Sequence, residues 1–421
     1  MQWCIDNWEA VAAEVGAELG ISRARASSEM NYGLELVERL PKLGAAMAAG
    51  EVDFQVIAVV VFRTGLIVDP AVLATIDARL AAAAQRWNGL SRRKIVELVD
   101  WWVRELDPAA ERVARRTDEG RHVQINPSEG GLAQFWGAMR APDAAVLDRR
   151  LDQLAGSVCR EDSRTKDQRR ADALAVLAAG QDSMVCDCGS ADCPAGGAGA
   201  PAPAPVVIHV VAEAATVSGQ GTTPGYLSGF GAVAAESVRE LAARARLRPL
   251  TPAPEFTAEP RYRPSVALAE FVRARDLWCR FPGCDVAAEF CDIDHCIPWI
   301  RGGLTHPSNL NCKCRAHHLL KTFWCGDNGW AETQHPDGTI VFTSPSGRTY
   351  TTTPGGALFF PDLATPTETL AVSHSGPPPE DPGRTLMMPT RKRTRAEERA
   401  ARIDWERGLN EARWAADPPP F

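Results

Sequence analysis

The sequence predicts an α+β protein: a mainly helical N-terminal domain with a small sheet, followed by a compact module supported by zinc. Three observations carry this. Apolar residues recur at helical spacing in successive segments from residue 26 to about residue 118. Short alternating runs bounded by glycine and proline interrupt and follow those segments. Closely spaced cysteines and histidines are concentrated between Cys279 and His318.

With 421 residues, 45% of them hydrophobic, the chain has room for two or three domains and material for a packed core. A net charge of -7 excludes a surface uniformly adapted to nucleic acid, so any such contact falls to local basic patches. Met1 to Asp6 have no cationic start leading into a long apolar run, and the longest apolar stretch, Val56 to Phe62, is far too short to cross a bilayer. The expected location is therefore the cytoplasm, with no membrane partner. In that compartment the twelve cysteines point to metal wherever their spacing fits, rather than to disulfides.

Taken in order, residues 1–25 form an N-terminal segment, and residues 26–248 are expected to make the mainly helical domain. Asp69 is an N-cap and Pro70 the first position of a helix whose apolar residues Val72, Leu73, Ile76 and Leu80 share one stripe. Ser91 caps a second helix running to Trp102, with the Trp101–Trp102 pair expected in the core. His122–Asn126 alternates, Pro127–Gly131 is turn chemistry and Leu132–Trp136 follows, which predicts a hairpin. Helices are expected over Pro142–Cys159, Lys166–Gly180 and Ala232–Ala245, a strand over Val206–Ala212, and a flexible Gly/Ala/Pro insert at 189–205. A proline-rich linker at 249–264 precedes the module at 265–325. A small β extension covers 326–360, and 361–421 reads as disordered linker followed by a basic helical tail beginning at Arg391.

Two separate metal requirements can be read in the module. Cys279 and Cys284 flank a Pro-Gly turn that aims both sulfurs at one point, and Cys314 and His317 share a face if a helix begins near residue 314. Three thiols and an imidazole in two close pairs make a closed tetrahedral zinc site that stabilises a small fold, with Cys291 and Cys312 also within reach as the fourth ligand. His318 points away from that face and is open to another task. Asp294 and His295 lie on a short apolar run ending at Pro298. On a strand their side chains take opposite faces, which suits a carboxylate holding metal and an imidazole handling a proton. Asn309 follows a loop introduced by Gly302-Gly303, where its amide oxygen can bind the same ion or orient the histidine.

The order Asp294-His295, Asn309, His318 with cysteine pairs at both ends resembles the HNH nucleases. More closely, Cys291-Asp-Ile-Asp-His295, Pro298-Trp299, Asn309-Leu310 and Cys314-x-x-His-His-Leu-Leu-Lys-Thr-Phe-Trp324 look like the actinobacterial 13E12 repeat proteins, over most of the chain from about residue 26. The resemblance implies a ββα-metal fold in the module and a metal-dependent DNA endonuclease, a phosphodiester hydrolase with His295 as general base. By it, Asp294 binds a divalent ion, with Asn309 and His318 as further ligands, and the ion neutralises the scissile phosphate. Oxygen ligands favour magnesium, and a ligating His318 admits manganese or nickel. Cys296 departs from the aliphatic residue more usual there.

Lys313, Arg315 and Lys321 supply cations for a phosphate backbone, and a homodimer is the assembly that would cut both strands. Cys186, Cys188 and Cys193 are three thiols beside a flexible insert, an incomplete metal site. Gly229-Phe-Gly231 reads as loop geometry, and the Arg391–Arg395 run is either an electrostatic nucleic-acid contact or a soluble end. The alternative reading of the whole chain is a catalytically inactive, zinc-stabilised nucleic-acid-binding or interaction protein.

Overall fold

The computed structural model describes residues 4–112, 121–128, 131–193, 195, 208–243, 245–324, 329–368 and 388–416. The chain divides into two compact units, one of Met1–Ala114 with Arg248–Phe421, the other of Arg115–Leu247. The expected single domain over 26–248 is thus not how the polypeptide partitions.

Six helices open the first unit: α1 (Asn7–Leu19), α2 (Arg23–Glu38), α3 (Pro41–Ala48), α4 (Phe54–Thr64), α5 (Pro70–Ala83) and α6 (Arg92–Leu106). Helices α2 to α6 bury one core that includes Leu36, Leu43, Ile57, Val60, Ile76, Leu80, Ile95 and Val99. Asp69 caps α5 by accepting from the N–H groups of Ala71 and Val72. The start of α3 has no local cap, and Asp77 of α5, 2% exposed, accepts from its Lys42 and Leu43 N–H groups instead. Two expectations for α6 fail. Ser91 makes no side-chain cap, and Trp101 is 69% exposed, because the stripe Ile95-Val99-Val103 takes the core and leaves only Trp102 at its edge against Trp87.

In the second unit β1 (His122–Pro127) and β2 (Ala133–Ala138) form an antiparallel hairpin with Gln124 opposite Trp136 and every residue exposed. Helices α7 (Ala141–Ala155) and α8 (Lys166–Ala178) pair around Leu154, Ala173 and Met184. Then follow β3 (Val210–Val211), α9 (Ala214–Val217), β4 (Gly225–Leu227), β5 (Gly231–Val233) and α10 (Ala235–Ala242), the strands making a sheet in the order β3-β4-β5. The strand expected over Val206–Ala212 is two residues long where described, and Val206 and Val207 lie outside the described residues. So do 194 and 196–205 of the expected flexible insert. Ala232 and Val233, expected in a helix, belong to β5, and Gly229 and Gly231 turn the chain with φ of 76° and 93°.

Back in the first unit come α11 (Val266–Asp276), β6 (Cys291–His295), β7 (Leu310–Cys314), α12 (Arg315–Phe323) and the antiparallel meander β8 (Ala331–Gln334), β9 (Ile340–Thr343) and β10 (Thr349–Thr352). Strands β6 and β7 are antiparallel, with Asp292 opposite Lys313 and Asp294 opposite Asn311, and α12 continues directly from β7. These elements share a second core that includes Phe271, Phe281, Leu310, Leu320, Trp330 and Phe342. Ile5, Ala13 and Ala17 join it, so residues 1–25 are not a separate segment.

The tail is α13 (Arg395–Ala416), which places Ile403 in the first core, while Asn410 donates to the carbonyls of Ala109 and Glu111. Arg391 and Arg395 pair with Asp6, which draws the basic run onto the protein. Residues 369–387 of the expected disordered linker lie outside the described residues. Among the described residues no helix is long and apolar enough to cross a membrane.

Candidate metal centre

Cys279 follows α11 by way of Leu277, whose φ of 58° turns the chain sharply after the helix. The Cys279–Cys284 knuckle closes through Cys284 N–H to Phe281 O at 3.1 Å and Cys279 N–H to Val286 O at 2.8 Å. Gly283 sits in it with φ of 74°, and a Cβ there would meet Gly16 O at 2.8 Å, so glycine is required by conformation and space together. Cys314 is the residue before α12, and His317 comes one turn on.

The Cys279, Cys284 and Cys314 sulfurs and a His317 ring nitrogen all lie within 4.8 Å of one another. Cys284 and Cys314 Sγ are 4.0 Å apart, and His317 Nδ1 is 3.2 Å from Cys314 Sγ and 3.5 Å from Cys279 Sγ. A tetrahedron with Zn–S near 2.3 Å has edges of roughly 3.8 Å, so donor type and spacing both fit a closed zinc site. Of the two other thiols in reach, Cys291 donates to Val286 and Ala287 carbonyls and Cys312 faces α11, which leaves Cys284 as the fourth member. Burial alone would raise the Cys279 thiol, but hydrogen bonds from its neighbours, Cys284 foremost, outweigh it and hold the thiol well below its ordinary value. His317 is opposed by the same burial, and its bonds to Cys279 and Cys314 carry it up to about 9. The cluster therefore already stabilises negative charge on sulfur, which a cation would exploit.

A buried ion network that sequence reasoning missed fixes this frame. Asp276, fully buried, accepts from Arg275 Nε at 2.8 Å, Arg280 Nη1 at 3.1 Å and Cys312 N–H at 2.8 Å. Arg275 donates onward to the carbonyls of Pro307 and Leu310, and Arg280 to those of Gly338 and Thr352. One carboxylate thus joins α11, the knuckle, β7 and the β8–β10 meander.

On the face of β6 toward α12, Asp292 Oδ2 accepts from His318 Nδ1 at 2.8 Å, and Asp294 Oδ1 lies 3.6 Å from His318 Nε2. Because Asp292 takes the Nδ1 proton, the Nε2 lone pair of a neutral His318 points at Asp294. Two ligands about 2.1 Å from one ion are roughly 3.0–3.4 Å apart, so this pair is close to a bidentate seat for a divalent cation. Asp294 Oδ2 is taken by Lys321 Nζ at 2.7 Å.

The remaining expected site residues are placed differently. His295 projects from the other face of β6, 4% exposed, stacked on Tyr262, with Nε2 2.9 Å from Thr305 Oγ1. That hydroxyl is 2.5 Å from Arg261 O, which can only accept, so its proton goes there and the Nε2–H of His295 donates to it. His295 Nδ1 then carries the bare lone pair. Burial holds the His295 pKa below the ordinary imidazole value against the opposing pull of Asp294. Asn309 does not join Asp294: its Oδ1 accepts from Ile297 N–H at 2.7 Å and its Nδ2 donates to Ile297 and Leu304 carbonyls, closing the β6–β7 loop. Lys313 is 1% exposed and pairs with Glu332 at 2.8 Å, and Lys321 pairs with Asp294 and Glu332, so neither presents its charge to a phosphate backbone. The expectation was wrong for both because Glu332, on β8, could not be related to them in sequence. Arg315 alone of the three is solvent-facing, at 67% exposure, with Asp292 beside it at 3.3 Å.

The family model for a domain of unknown function, DUF222, matches residues 1–276. The chain is similar to the uncharacterized proteins MT2160 and Rv2100 of Mycobacterium tuberculosis, each 44% identical over 461 residues that cover 100% of this chain and 83% of the relative. Uncharacterized protein Rv3776 of the same organism is 45% identical over 433 residues, 96% of this chain and 82% of its own length. No solved structure matches. A match spanning more than half of the chain, with such relatives along its length, shows that the chain belongs to the DUF222 family.

Proposed function

We propose that this DUF222 protein is a metal-dependent phosphodiester hydrolase of the HNH type, akin to the 13E12 repeat proteins, and that it cuts DNA. One observation carries the reading. Strand β6 and helix α12 bring Asp294 Oδ1 and His318 Nε2 to 3.6 Å, and the next residue, His295, offers a bare Nδ1 from the opposite face. Association of DUF222 domains with HNH modules supports it.

In this reading Cys279, Cys284, Cys314 and His317 bind structural zinc and pin α12 to the knuckle. A divalent ion on Asp294 and His318, magnesium, manganese or nickel, supplies charge neutralisation at the scissile phosphate. His295 accepts a proton from water at Nδ1, Thr305 holds the ring by accepting from Nε2, and Asp292 holds His318 in the ligating tautomer. Asn309 positions the loop rather than the ion, and Arg315 is the cation placed to meet a phosphate.

A second reading, a zinc-stabilised nucleic-acid-binding module without turnover, is favoured by the contacts of Lys321 and Lys313 to Asp294 and by the burial of His295. Nicking of supercoiled plasmid separates the two. The full chain cuts with magnesium, manganese or nickel, and His295→Ala loses about 10²–10⁴-fold in rate with its zinc content unchanged. A chain that binds plasmid in a gel shift but never nicks it, under conditions where an HNH control cuts, leaves the binding reading in place.

A further inference from the structure

We infer that the second unit carries its own zinc site, formed by Cys159, Cys186, Cys188 and Cys193. Three of these thiols lie together in sequence as Cys186-x-Cys188-x-x-x-x-Cys193, an incomplete set by spacing alone. The missing member comes from 27 residues upstream of Cys186, on the segment leaving α7, and the four sulfurs lie within 4.8 Å of one another. Cys159 and Cys186 Sγ are 3.4 Å apart, and all four cysteines are free thiols, each partly buried. Four thiols at the edge lengths of a small tetrahedron make a closed donor set with no position left for substrate, which marks a structural ion.

The surrounding chain holds the two cysteine segments together independently of the thiols. Asp162 accepts from Asp187 N–H at 2.9 Å and from Arg164, whose Nη2 also donates to Val185 O at 2.8 Å. Ser163 Oγ donates to Asp187 Oδ2 at 2.6 Å, and Met184 N–H donates to Ser157 Oγ at 3.1 Å. Gly189, at φ of 68°, lets the chain fold back between Cys188 and Cys193, and Cys193 N–H closes that turn onto Ser190 O. The need for an ion is also visible. Around α7 and α8 the fully buried apolar residues described are Leu154, Ala173 and Met184, a small core for two helices and a long loop. A zinc ion bridging the end of α7 to the loop after α8 supplies cross-linking that apolar packing there does not.

The two clusters make the count of bound ions a direct test. Full-length protein purified under reducing, oxygen-free conditions binds two zinc ions per chain by elemental mass spectrometry, one for each cluster. Cys188→Ser and Cys193→Ser each bring the count to one and leave the other ion in place, whereas Cys284→Ser removes the other. Cobalt exchange on the Cys284→Ser protein gives the intense sulfur-to-metal absorption of a four-thiolate centre. Three results overturn the inference: one zinc per chain in the unaltered protein, a visible iron–sulfur spectrum in its place, or a mass lowered by disulfide formation among these cysteines. None of them depends on substitution, so a variant that fails to fold leaves the test intact. The count is also independent of any cleavage of DNA.

Discussion

At the scale of single residues, the chemistry turns on which nitrogen carries a proton. Asp292 and Thr305 each fix one ring, so His318 presents Nε2 to Asp294 and His295 presents Nδ1 to the other side. Under the proposed hydrolase reading, Thr305→Val removes the acceptor for Nε2–H while keeping the volume, and kcat falls about 10–100-fold with KM little changed. Thr305→Ser restores most of it, an outcome that a merely packing role for the side chain would not produce, and steady-state nicking assays distinguish the two. The sequence made Asp294 and His295 legible because period-two alternation is local. It could not reveal Thr305 or Asp292, whose roles exist only after residues 261–262 and α12 are brought alongside. Lys313 and Asn309 show the opposite difficulty: a charge or an amide can be read as open to a ligand until Glu332, or the Ile297 and Leu304 backbone, is found to hold it.

At the scale of elements, the knuckle, β6–β7 and α12 are fixed by short-range devices that sequence spacing reveals and by one long-range device that it conceals. Cys284→Ser and Cys314→Ser are each expected to release one zinc ion, whereas Cys291→Ser, whose sulfur faces the Val286 and Ala287 carbonyls, retains it; elemental analysis of the purified variants decides. Gly303 lies where a Cβ would meet Ile297 O at 1.8 Å and Asn309 Nδ2 at 2.9 Å. Gly303→Ala therefore forces the loop apart and costs about 1–3 kcal/mol in denaturant unfolding. Asp276 is the concealed device, because Arg275 and Arg280 look like ordinary surface cations until the fold buries them. Burial would raise its pKa, but the two guanidinium groups outweigh this and depress it. Its stabilisation is thus present above the unfolded value of about 3.9 and is lost as pH falls through the lower folded value. Asp276→Asn lowers stability at neutral pH by about 3–5 kcal/mol and flattens the acid side of a stability–pH curve, measurable by urea unfolding across pH.

At the scale of the whole molecule, linkers proved a poor guide to which parts fold together. The proline-rich stretch at 249–264 reads as a boundary, yet residues on both sides of it belong to one unit, and the second unit interrupts that unit's sequence. The reason is that α1 and α13 carry small apolar faces, Ala13 and Ala17 in one and Ile403 in the other, whose partners lie hundreds of residues away. Asn410 is the polar counterpart of that long-range packing. Asn410→Ala leaves the Ala109 and Glu111 carbonyls unpaired and costs about 1–3 kcal/mol, read from the shift in unfolding midpoint at constant slope.

The hydrogen bond from Trp324 Nε1 to Ile5 O, at 3.0 Å, ties the far end of α12 to the first turns of the chain. A polypeptide emerging from the ribosome must therefore keep its earliest helix unsatisfied until more than three hundred further residues have been synthesised, and a fragment begun after residue 250 would hold all four zinc ligands of α12 and the knuckle over an open apolar floor. Vectorial synthesis, rather than the ligand set, then decides when this half of the protein becomes native.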